Sequence, residues 1–307
     1  MIVTITLNPA IDIRYTLERL AIDSTNRCAS VGKTAGGKGL NVSRVISLAG
    51  EKVNAVGFLG GPNGQWIAEN LTKTGIGHRF TEIAGETRNC IAILHEGNQT
   101  EILEPGPSIS TDEQRQFIED FMEVLKDCEV VVASGSLPAG VDVSLYKEII
   151  EITKKNNKKI IMDTSGKALE EVIKAKPTLI KPNTEELESL FGEAIKNREQ
   201  LKECMAKLAA EGIEVVVVSM GGDGALALYE GEYYHVQPPA IEVVNAVGSG
   251  DSTVAGFAIG LSKNWPIEET LRFGCALGTL NALEERTGYI DKTNIKTFVD
   301  KTTVVKL

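Results

Sequence analysis

The sequence predicts an α/β fold in which helices cover both faces of a mostly parallel sheet. Short β-branched runs alternate with longer amphipathic segments, the order that produces parallel strands joined by helices. The run 215–218 consists of four valines, so this strand is apolar on both sides and is expected to be buried on both. A three-layer α/β/α arrangement follows. The predicted strands of its sheet are 2–7, 53–59, 129–134, 159–163, 178–181, 214–220 and 225–229.

The segments that separate these strands carry apolar residues at helical spacing. The chain shows no internal repeat and no low-complexity linker, so one domain is expected over residues 1–307. The predicted helices are 38–49, 64–75, 111–126, 142–156, 183–191, 197–211, 249–263 and 267–285.

The first hundred residues break this alternation. Residues 80–104 are typical of a strand, a turn at Glu96-Gly97-Asn98 and a second strand, and other short strands precede them. We expect these strands to be inserted into the main domain, within about 11–35 and 78–105, as a small β-sheet that acts as a lid. Its predicted strands are 11–17, 26–33, 78–83, 88–95 and 99–104.

The composition is ordinary for a globular protein, and the formal net charge is −10. With this charge and no wide basic stripe, the chain is not expected to bind nucleic acid, so a few local cations and backbone amides must hold any phosphorylated ligand. No apolar run approaches the roughly 20 residues that span a bilayer, and no membrane association is expected. The five cysteines are scattered without metal-site spacing, which is typical of reduced thiols and predicts a cytoplasmic protein. They are Cys28, Cys90, Cys128, Cys204 and Cys275.

The segment Asn245–Asp251 places two glycines, a serine and a carboxylate where a loop becomes an apolar helix. Gly248 and Gly250 let the backbone turn tightly and approach a ligand. The first helical turn then presents unpaired N–H groups that suit a phosphate. A carboxylate among such groups would repel an anion, so Asp251 is better explained as a base that takes a proton from an attacking hydroxyl. This combination predicts phosphoryl transfer.

A second glycine-rich helix start is Gly36–Asn41, with the sequence GGKGLN. Lys38 and Asn41 lie about one turn apart and can face the same ligand. A packing or capping role explains such a cluster about as often as ligand binding does. The segment does not match the P-loop pattern, and Gly221–Gly224 leads into a strand rather than a helix, which argues against a dinucleotide-binding fold.

Asn183 and Glu186 follow the predicted strand 178–181 and have two interpretations. As the N-cap and third residue of a helix, they would form a capping box. Alternatively, they would organise a hydrated Mg²⁺ beside a triphosphate, since Mg²⁺ keeps several waters and takes few protein ligands. The residues alone leave both interpretations open.

Three further polar residues are less specific candidates: Asp12, after the first strand, and the cations Arg27 and Arg88. Lone arginines are usually solvated, but Arg88 begins a predicted lid strand, which favours a ligand-binding role. The three histidines show no relation to one another and are interpreted as structural. They are His78, His95 and His235.

Together these clusters resemble the ribokinase-like (PfkB) carbohydrate kinase family, and the resemblance runs from residue 2 to about residue 290. The N-terminal glycine motif of the family matches Gly36–Asn41. Its C-terminal motif, usually D-T-x-G-[AS]-G-D, matches Asn245–Asp251. The sequence departs from the family at Asn245-Ala246, which replace the usual Asp-Thr near phosphate and metal.

Within the family the chain resembles the hexose-phosphate kinases, through Thr6–Asp12, Ser134–Gly140 and the lid segments Gly85–His95 and Asn98–Glu104. The resemblance implies a ribokinase-like kinase that uses ATP and Mg²⁺ to phosphorylate the C1 hydroxyl of a ketohexose 6-phosphate. D-tagatose 6-phosphate, a sugar of lactose and galactose breakdown, is the expected substrate, and fructose 1-phosphate is the alternative. A non-catalytic sugar-phosphate sensor is the alternative of another class. The family's small sheet also implies a homodimer joined through the lid.

The resemblance further implies a role for each matching position. Asp251 would be the catalytic base, and neighbouring backbone amides would stabilise charge on the transferred phosphoryl group. Those amides would come from Gly248, Ser249 and Gly250. The sugar would contact Asp12, Gly36, Gly37 and Asn41, and its phosphate would contact Lys38, Arg27 and Arg88. The ATP site would be lined by Lys181, Asn183, Ser219, Gly221, Gly224 and, near the adenine, Asn281, while Glu186 would reach Mg²⁺ through water.

Overall fold

The computed structural model describes all 307 residues and contains two separate sheets. One sheet has ten strands and the other has four. The strands, in chain order, are β1 (Ile2–Thr6), β2 (Ala10–Thr16), β3 (Ser30–Gly36), β4 (Val53–Leu59), β5 (Gly77–Glu82), β6 (Arg88–His95), β7 (Asn98–Leu103), β8 (Val130–Ser134), β9 (Lys159–Asp163), β10 (Leu179–Ile180), β11 (Val215–Ser219), β12 (Ala225–Tyr229), β13 (Glu232–Gln237) and β14 (Thr303–Lys306).

The main sheet has the strand order β14-β13-β12-β11-β10-β9-β8-β1-β4-β5. Neighbours from β5 to β11 run parallel, while β12, β13 and β14 are added antiparallel at one edge. Helices join most of the parallel strands, because a parallel neighbour is reached only through a crossover. The helices are α1 (Lys38–Leu48), α2 (Gly61–Lys73), α3 (Thr111–Leu125), α4 (Ser144–Lys155), α5 (Gly166–Lys174), α6 (Thr184–Phe191), α7 (Arg198–Ala210), α8 (Ser249–Ser262), α9 (Ile267–Ala282) and α10 (Ile295–Lys301).

The helices bury two apolar cores, one on each face of the main sheet. Helices α1, α2, α8 and α9 contribute to the first core, and α3 to α7 contribute to the second. Strand β11 serves both cores. Val215 and Val217 belong to the first core, and Val216 and Val218 belong to the second. The predicted three-layer α/β/α fold with a mostly parallel sheet is therefore confirmed.

The small sheet has the strand order β3-β2-β6-β7 and faces the carboxyl ends of the main parallel strands across a cleft. Strand β2 pairs antiparallel with β3 and parallel with β6, and β6 pairs antiparallel with β7. Every residue of β7 is exposed, so this edge of the small sheet is open to solvent. A separate four-stranded sheet at this position agrees with the predicted lid.

Two boundaries of the predicted lid are wrong. The segment 78–83 forms β5 in the main sheet instead, parallel to β4, with Phe80 opposite Gly57. Helix α2 crosses back between these two strands and places them side by side, and Thr81 of β5 is buried where it donates a hydrogen bond of 2.8 Å to Asp120.

The lid strand expected at 26–33 begins only at Ser30. The residues before it form an exposed loop that the Asn26 side chain closes. Its amide accepts a hydrogen bond of 2.9 Å from the Ala21 N–H and donates one of 2.8 Å to the Ala21 carbonyl. An asparagine that satisfies nearby backbone groups in this way competes with strand pairing.

Four elements were not predicted from the sequence: α5, α10, β13 and β14. The antiparallel strand β14 has four residues and is defined by its pairing with β13, with His235 opposite Val305. Such short edge elements depend on tertiary pairing more than on local propensity. No helix is both long and apolar enough to cross a membrane.

Helices α8 and α9 pack unusually close together, with glycines at the contact. A Cβ atom on Gly256 would lie 2.5 Å from the Cα of Gly274, and one on Gly260 would lie 2.5 Å from Oγ1 of Thr270. Helix α8 is buried almost throughout and also contacts α1. Helix α8 is therefore held in place from two sides, by α9 and by α1.

Candidate functional site

A cleft of about 1700 Å³ separates the small sheet from the carboxyl ends of β1, β8, β9 and β11. It also contains the start of α1 and the start of α8, the two glycine-rich helix starts of the sequence. Twelve of the predicted site residues line this cleft. They are Asp12, Gly37, Lys38, Asn41, Arg88, Lys181, Asn183, Glu186, Ser219, Gly248, Gly250 and Asp251.

The start of α8 offers free backbone amides to the cleft. Gly248 precedes the helix with φ of 85°, and a Cβ there would lie 2.8 Å from the backbone nitrogen of Gly288. No backbone carbonyl accepts the N–H groups of Gly248, Gly250 or Asp251. The N–H of Ser249 was also predicted to face the phosphoryl group, but it donates to the Ala246 carbonyl at 3.2 Å. Ser249 does not line the cleft. Three unpaired amides at a helix N-terminus are suited to bind an anion.

Asp251 lies in the first turn of α8 and is only 6% exposed. Its Oδ2 accepts a hydrogen bond of 2.9 Å from the side-chain amide of Asn41 on α1. Burial raises the pKa of Asp251 to about 7, and the nearby carboxylate of Asp163 acts in the same direction. The hydrogen bond from Asn41 and the charges of two lysines oppose this rise. A carboxyl group with a pKa near neutrality is suited to accept a proton.

The two lysines are Lys38 and Lys181, and they belong to a cluster of alternating charges with Asp251 and Asp163. Lys181 is 7% exposed, and its Nζ forms a salt bridge of 3.5 Å with Asp163. The carboxylates of Asp163, Asp251 and Glu186 raise the pKa of Lys38. Lys38 and Asp251 are thus close enough for their charges to interact.

Asp12 lies on lid strand β2 and faces the cleft. Burial raises its pKa to about 6, while the charges of Arg44 and Arg88 and the backbone N–H of Gly37 act against the rise. Gly36 is the neighbour that makes room for Asp12, since any Cβ at Gly36 would overlap its carboxylate. Gly36 does not itself line the cleft.

The two predicted arginines occupy different places. Arg88 lines the cleft, where its guanidinium donates to the carbonyls of Glu104 at 2.8 Å and Asn8 at 3.0 Å. Its Nε is buried and has no partner within the chain. Arg27 is exposed in the loop before β3 and does not line the cleft.

Asn183 and Glu186 form the capping box of α6. The amide oxygen of Asn183 accepts from the Glu186 N–H at 2.7 Å, and Oε2 of Glu186 accepts from the Asn183 N–H at 2.9 Å. The predicted capping box of Asn183 and Glu186 is therefore confirmed. Oε1 of Glu186 has no hydrogen bond, and the side chain lines the cleft beside Lys38. One free carboxylate oxygen fits Mg²⁺, which keeps most of its ligands as water and phosphate oxygens.

Of the other predicted nucleotide positions, only Ser219 lines the cleft. Ser219 ends β11 and lines the cleft, whereas Gly221 and Gly224, in the turn that follows, do not. Asn281 has a different environment from the one expected, because it is fully buried. Its amide donates to the Val247 carbonyl at 3.0 Å, and its oxygen accepts from the Gly288 N–H at 2.8 Å.

Asn245, where the sequence departs from the expected Asp-Thr pair, shapes the same loop. Its Oδ1 accepts from the Val247 N–H at 3.0 Å, and its Nδ2 donates to the Glu285 carbonyl at 3.2 Å. Arg14 of lid strand β2 donates to this carbonyl as well, at 2.9 Å. The loop before α8, the segment after α9 and the lid therefore meet at one carbonyl group.

The sequence analysis missed two charged residues of this region. Asp163 ends β9, and a carboxylate at the carboxyl end of a predicted parallel strand was a signal that could have found it. Arg44 stands three residues after Asn41 and is 7% exposed. A charged residue one turn from a predicted ligand, within an apolar helix, was a weaker signal.

Comparisons with known proteins agree with this geometry. Residues 2–294 match the model of the pfkB family carbohydrate kinases. The chain is 48% identical over 294 residues to a tagatose-6-phosphate kinase of Staphylococcus epidermidis, and the match covers 95% of each sequence.

Two solved structures of phosphofructokinase-2 from Escherichia coli also match, each over 97% of this chain and 98% of that one. The complex with fructose-6-phosphate has a TM-score of 0.87 at 27% identity. The tetrameric inhibited form has a TM-score of 0.90 at 28% identity. These likenesses support a phosphotransferase that acts on a hexose phosphate with ATP. The chain belongs to the pfkB family of carbohydrate kinases.

Proposed function

We propose that this protein transfers the γ-phosphoryl group of ATP to the C1 hydroxyl of D-tagatose 6-phosphate and so forms tagatose 1,6-bisphosphate, as a step of lactose and galactose breakdown. The observation that carries this proposal is the first turn of α8, where a buried carboxylate, Asp251, adjoins three unpaired amides. The 48% identity to a tagatose-6-phosphate kinase supports the choice of sugar.

In this proposal Asp251 accepts the proton of the attacking hydroxyl, which its raised pKa suits. The amides of Gly248, Gly250 and Asp251 stabilise the charge on the phosphoryl group during transfer. Lys38, which the family resemblance assigned to the phosphate already on the sugar, is placed here instead, because the carboxylate of Asp251 is among the charges that raise its pKa. Mg²⁺, reached by Glu186 through water, would screen the phosphate charges of ATP. The nucleotide lies along Lys181, Asn183 and Ser219, with Gly221 and Gly224 as further positions that stay predictions. Asn281, predicted near the adenine, is fully buried and bonded to Val247 and Gly288, so it is not proposed as a direct contact.

The other end of the cleft holds the sugar. Asp12, Gly37 and Asn41 bind its hydroxyl groups, and Arg88, a cation that lines the cleft, binds the phosphate that the sugar already carries. Closure of the lid would exclude water from the phosphoryl group and so prevent its hydrolysis. Gly36 acts through Asp12, by leaving space for the carboxylate.

Two alternatives differ in chemistry. A 1-phosphofructokinase would bind the sugar in the opposite orientation, with its phosphate at C1. A non-catalytic sensor would bind sugar phosphate without turnover, which the complete arrangement around Asp251 argues against.

The first experiment is a coupled ADP-release assay with MgATP. We expect kcat/KM to be highest for tagatose 6-phosphate and at least about tenfold lower for fructose 1-phosphate, because a site that bonds a hydroxyl rejects its misplaced counterpart. Fructose 6-phosphate, which differs from tagatose 6-phosphate at one stereocentre, is the closer competitor. A preference for fructose 1-phosphate would contradict the proposal, and absence of turnover with all three sugars would favour the sensor.

The Asp251→Asn variant tests the base. We expect kcat to fall by about 10²–10⁴-fold, because an amide cannot accept the proton. Asp142→Asn, the same chemical change at an exposed residue, serves as the control and should leave kcat unchanged.

Steady-state kinetics over pH 5.5 to 9 complete this test. The ionised form of Asp251 is the active one, so kcat/KM of the parent should rise with pH through a value near 7. A loss of less than tenfold in Asp251→Asn, with a folded variant by circular dichroism, would exclude Asp251 as the base.

Arg88→Ala tests the sugar-phosphate end of the cleft. We expect the KM for the phosphorylated sugar to rise at least about tenfold while the KM for ATP changes little, because a charge-assisted contact to phosphate is lost. Arg88→Lys keeps the charge and should recover part of the affinity. An unchanged KM for the sugar in Arg88→Ala would remove Arg88 from the phosphate site.

We further propose a homodimer joined through the lid sheet. Apolar side chains are exposed around it, with Ile22 at 85%, Val31 at 56% and Ile102 at 55%. Sedimentation velocity should show a dimer that Ile102→Asp converts to monomer. Val305→Asp places the same charge on the outer edge strand of the main sheet and should leave the dimer intact. If the parent sediments as a monomer, or Ile102→Asp stays dimeric, the lid is not the interface.

In the single chain Arg27 lies outside the cleft, and its role in phosphate binding stays a prediction.

A further inference from the structure

Arg44 is a buried charge that the mechanism above does not use. It lies in the middle of α1, one turn after Asn41, and is 7% exposed. Burying an arginine is costly unless its donors are satisfied, so its partners indicate what it does.

The partners of Arg44 converge on the catalytic end of α1. Its Nη1 donates to Oδ1 of Asn41 at 2.9 Å and to the carbonyl of Thr287 at 3.1 Å, and its Nη2 donates to the carbonyl of Ala35. The guanidinium also lies 5.1 Å from the ring centre of Tyr289. A Cβ on Gly288 would come within 2.9 Å of both Arg44 and Asn41, so the following turn packs directly onto this pair.

Asn41 therefore stands between a guanidinium and a carboxylate. One end of its amide is 2.9 Å from Nη1 of Arg44, and the other end is 2.9 Å from Oδ2 of Asp251. An amide has a donor end and an acceptor end, and either can in principle face either neighbour. A guanidinium has donors only, so it must face the amide oxygen, and the NH₂ group must then face Asp251.

We propose that Arg44 is a positioning residue that holds the side-chain amide of Asn41 with its NH₂ group toward Asp251. An ionised carboxylate accepts from this NH₂ group, whereas a protonated one gains more from the opposite amide orientation, in which it donates to the oxygen. Arg44 makes that second orientation unfavourable and so favours the ionised form of Asp251, the form that accepts the proton. The inference rests on the proposed role of Asp251 as the base.

Other charged groups also act on Asp251 and Arg44, and their effects must be separated from the effect of the Asn41 amide. Asp251 is faced by Asp163 from β9, by Lys38 from α1 and by Lys181 from the segment after β10. Arg44 is faced by Asp12 from β2, by Asp251 from α8 and by Arg286 and Tyr289 from the segment after α9. Removing the charge of Arg44 alone would alter Asp12 as well as Asp251, so the test needs a cycle that includes Asn41.

The cycle compares the parent with Arg44→Gln, Asn41→Leu and the double variant. Glutamine can accept as well as donate, so it no longer dictates the orientation of the amide. We expect Arg44→Gln to move the acid limb of the kcat/KM profile, which lies near pH 7 in the parent, upward by about one pH unit, so that activity is lost below about pH 8. In the Asn41→Leu background the same substitution should cause no further shift, since the amide is absent. Arg44→Lys, which keeps a donor-only side chain, should retain the parental limb.

Equal shifts in both backgrounds would mean that Arg44 acts through its charge alone, and an unshifted limb in Arg44→Gln would mean that it acts only in packing. Either result overturns the proposal while leaving the base assignment intact. Failure of the base assignment appears separately, as an active Asp251→Asn.

If Arg44→Gln does not fold, the parent protein carries the test. Its asparagine side chains are labelled with ¹⁵N, and the Asn41 amide signal is assigned by its loss in Asn41→Asp. A single pair of amide protons that stays hydrogen-bonded from pH 6 to 8 supports a fixed orientation. Two exchanging sets of signals, or loss of hydrogen-bond protection as Asp251 protonates, would overturn it.

Discussion

The burial of Asp251 is the constraint on which the rest of this site depends. Burial destabilises the ionised form of a carboxylate and so raises its pKa. Neighbouring charges and hydrogen bonds then increase or reduce this rise. Asn41 donates to it and two lysines lie nearby, while Asp163 opposes them. The pKa of about 7 is the outcome of these competing effects. The groups that set this pKa come from four separate segments of the chain, so the proposed role of Asp251 as a base depends on how the fold brings them together.

The parallel sheet brings these segments together. Because β1, β8, β9 and β11 all end at the same edge, each delivers its following loop to the cleft. Two helices then add their N-terminal turns, and the small sheet closes the opposite side. A hydrogen bond from Arg14 to the Glu285 carbonyl joins the small sheet to the main domain, and one from Asn41 to Asp251 joins α1 to α8. The cleft is therefore lined by residues of both sheets.

Much of this was accessible from the sequence, for identifiable reasons. Four consecutive valines predict a strand buried on both faces, and glycines before an apolar helix predict an exposed helix start, because both signals are local. The placement of 78–83 was not accessible, since lid and main-sheet strands have the same local pattern and differ only in partner.

Side-chain orientation was likewise beyond local reasoning. The Ser249 N–H donates to the Ala246 carbonyl in a turn, and the Asn281 side chain donates to the Val247 carbonyl in the loop before α8. The pairing of Asp163 with Lys181 and the place of Arg44 beside Asn41 needed three-dimensional structure, because residues far apart in sequence create them.

The close glycine contact between α8 and α9 has a consequence for how such proteins diversify. Gly256 and Gly274 leave no space for an added methyl group, so the helix that carries Asp251 cannot shift to suit a differently shaped acceptor. Strand β7 of the small sheet and the loop before β3 are exposed and carry no glycine contact of this kind. Changes in sugar preference during evolution are therefore expected to accumulate in the lid, while the reaction itself is inherited unchanged.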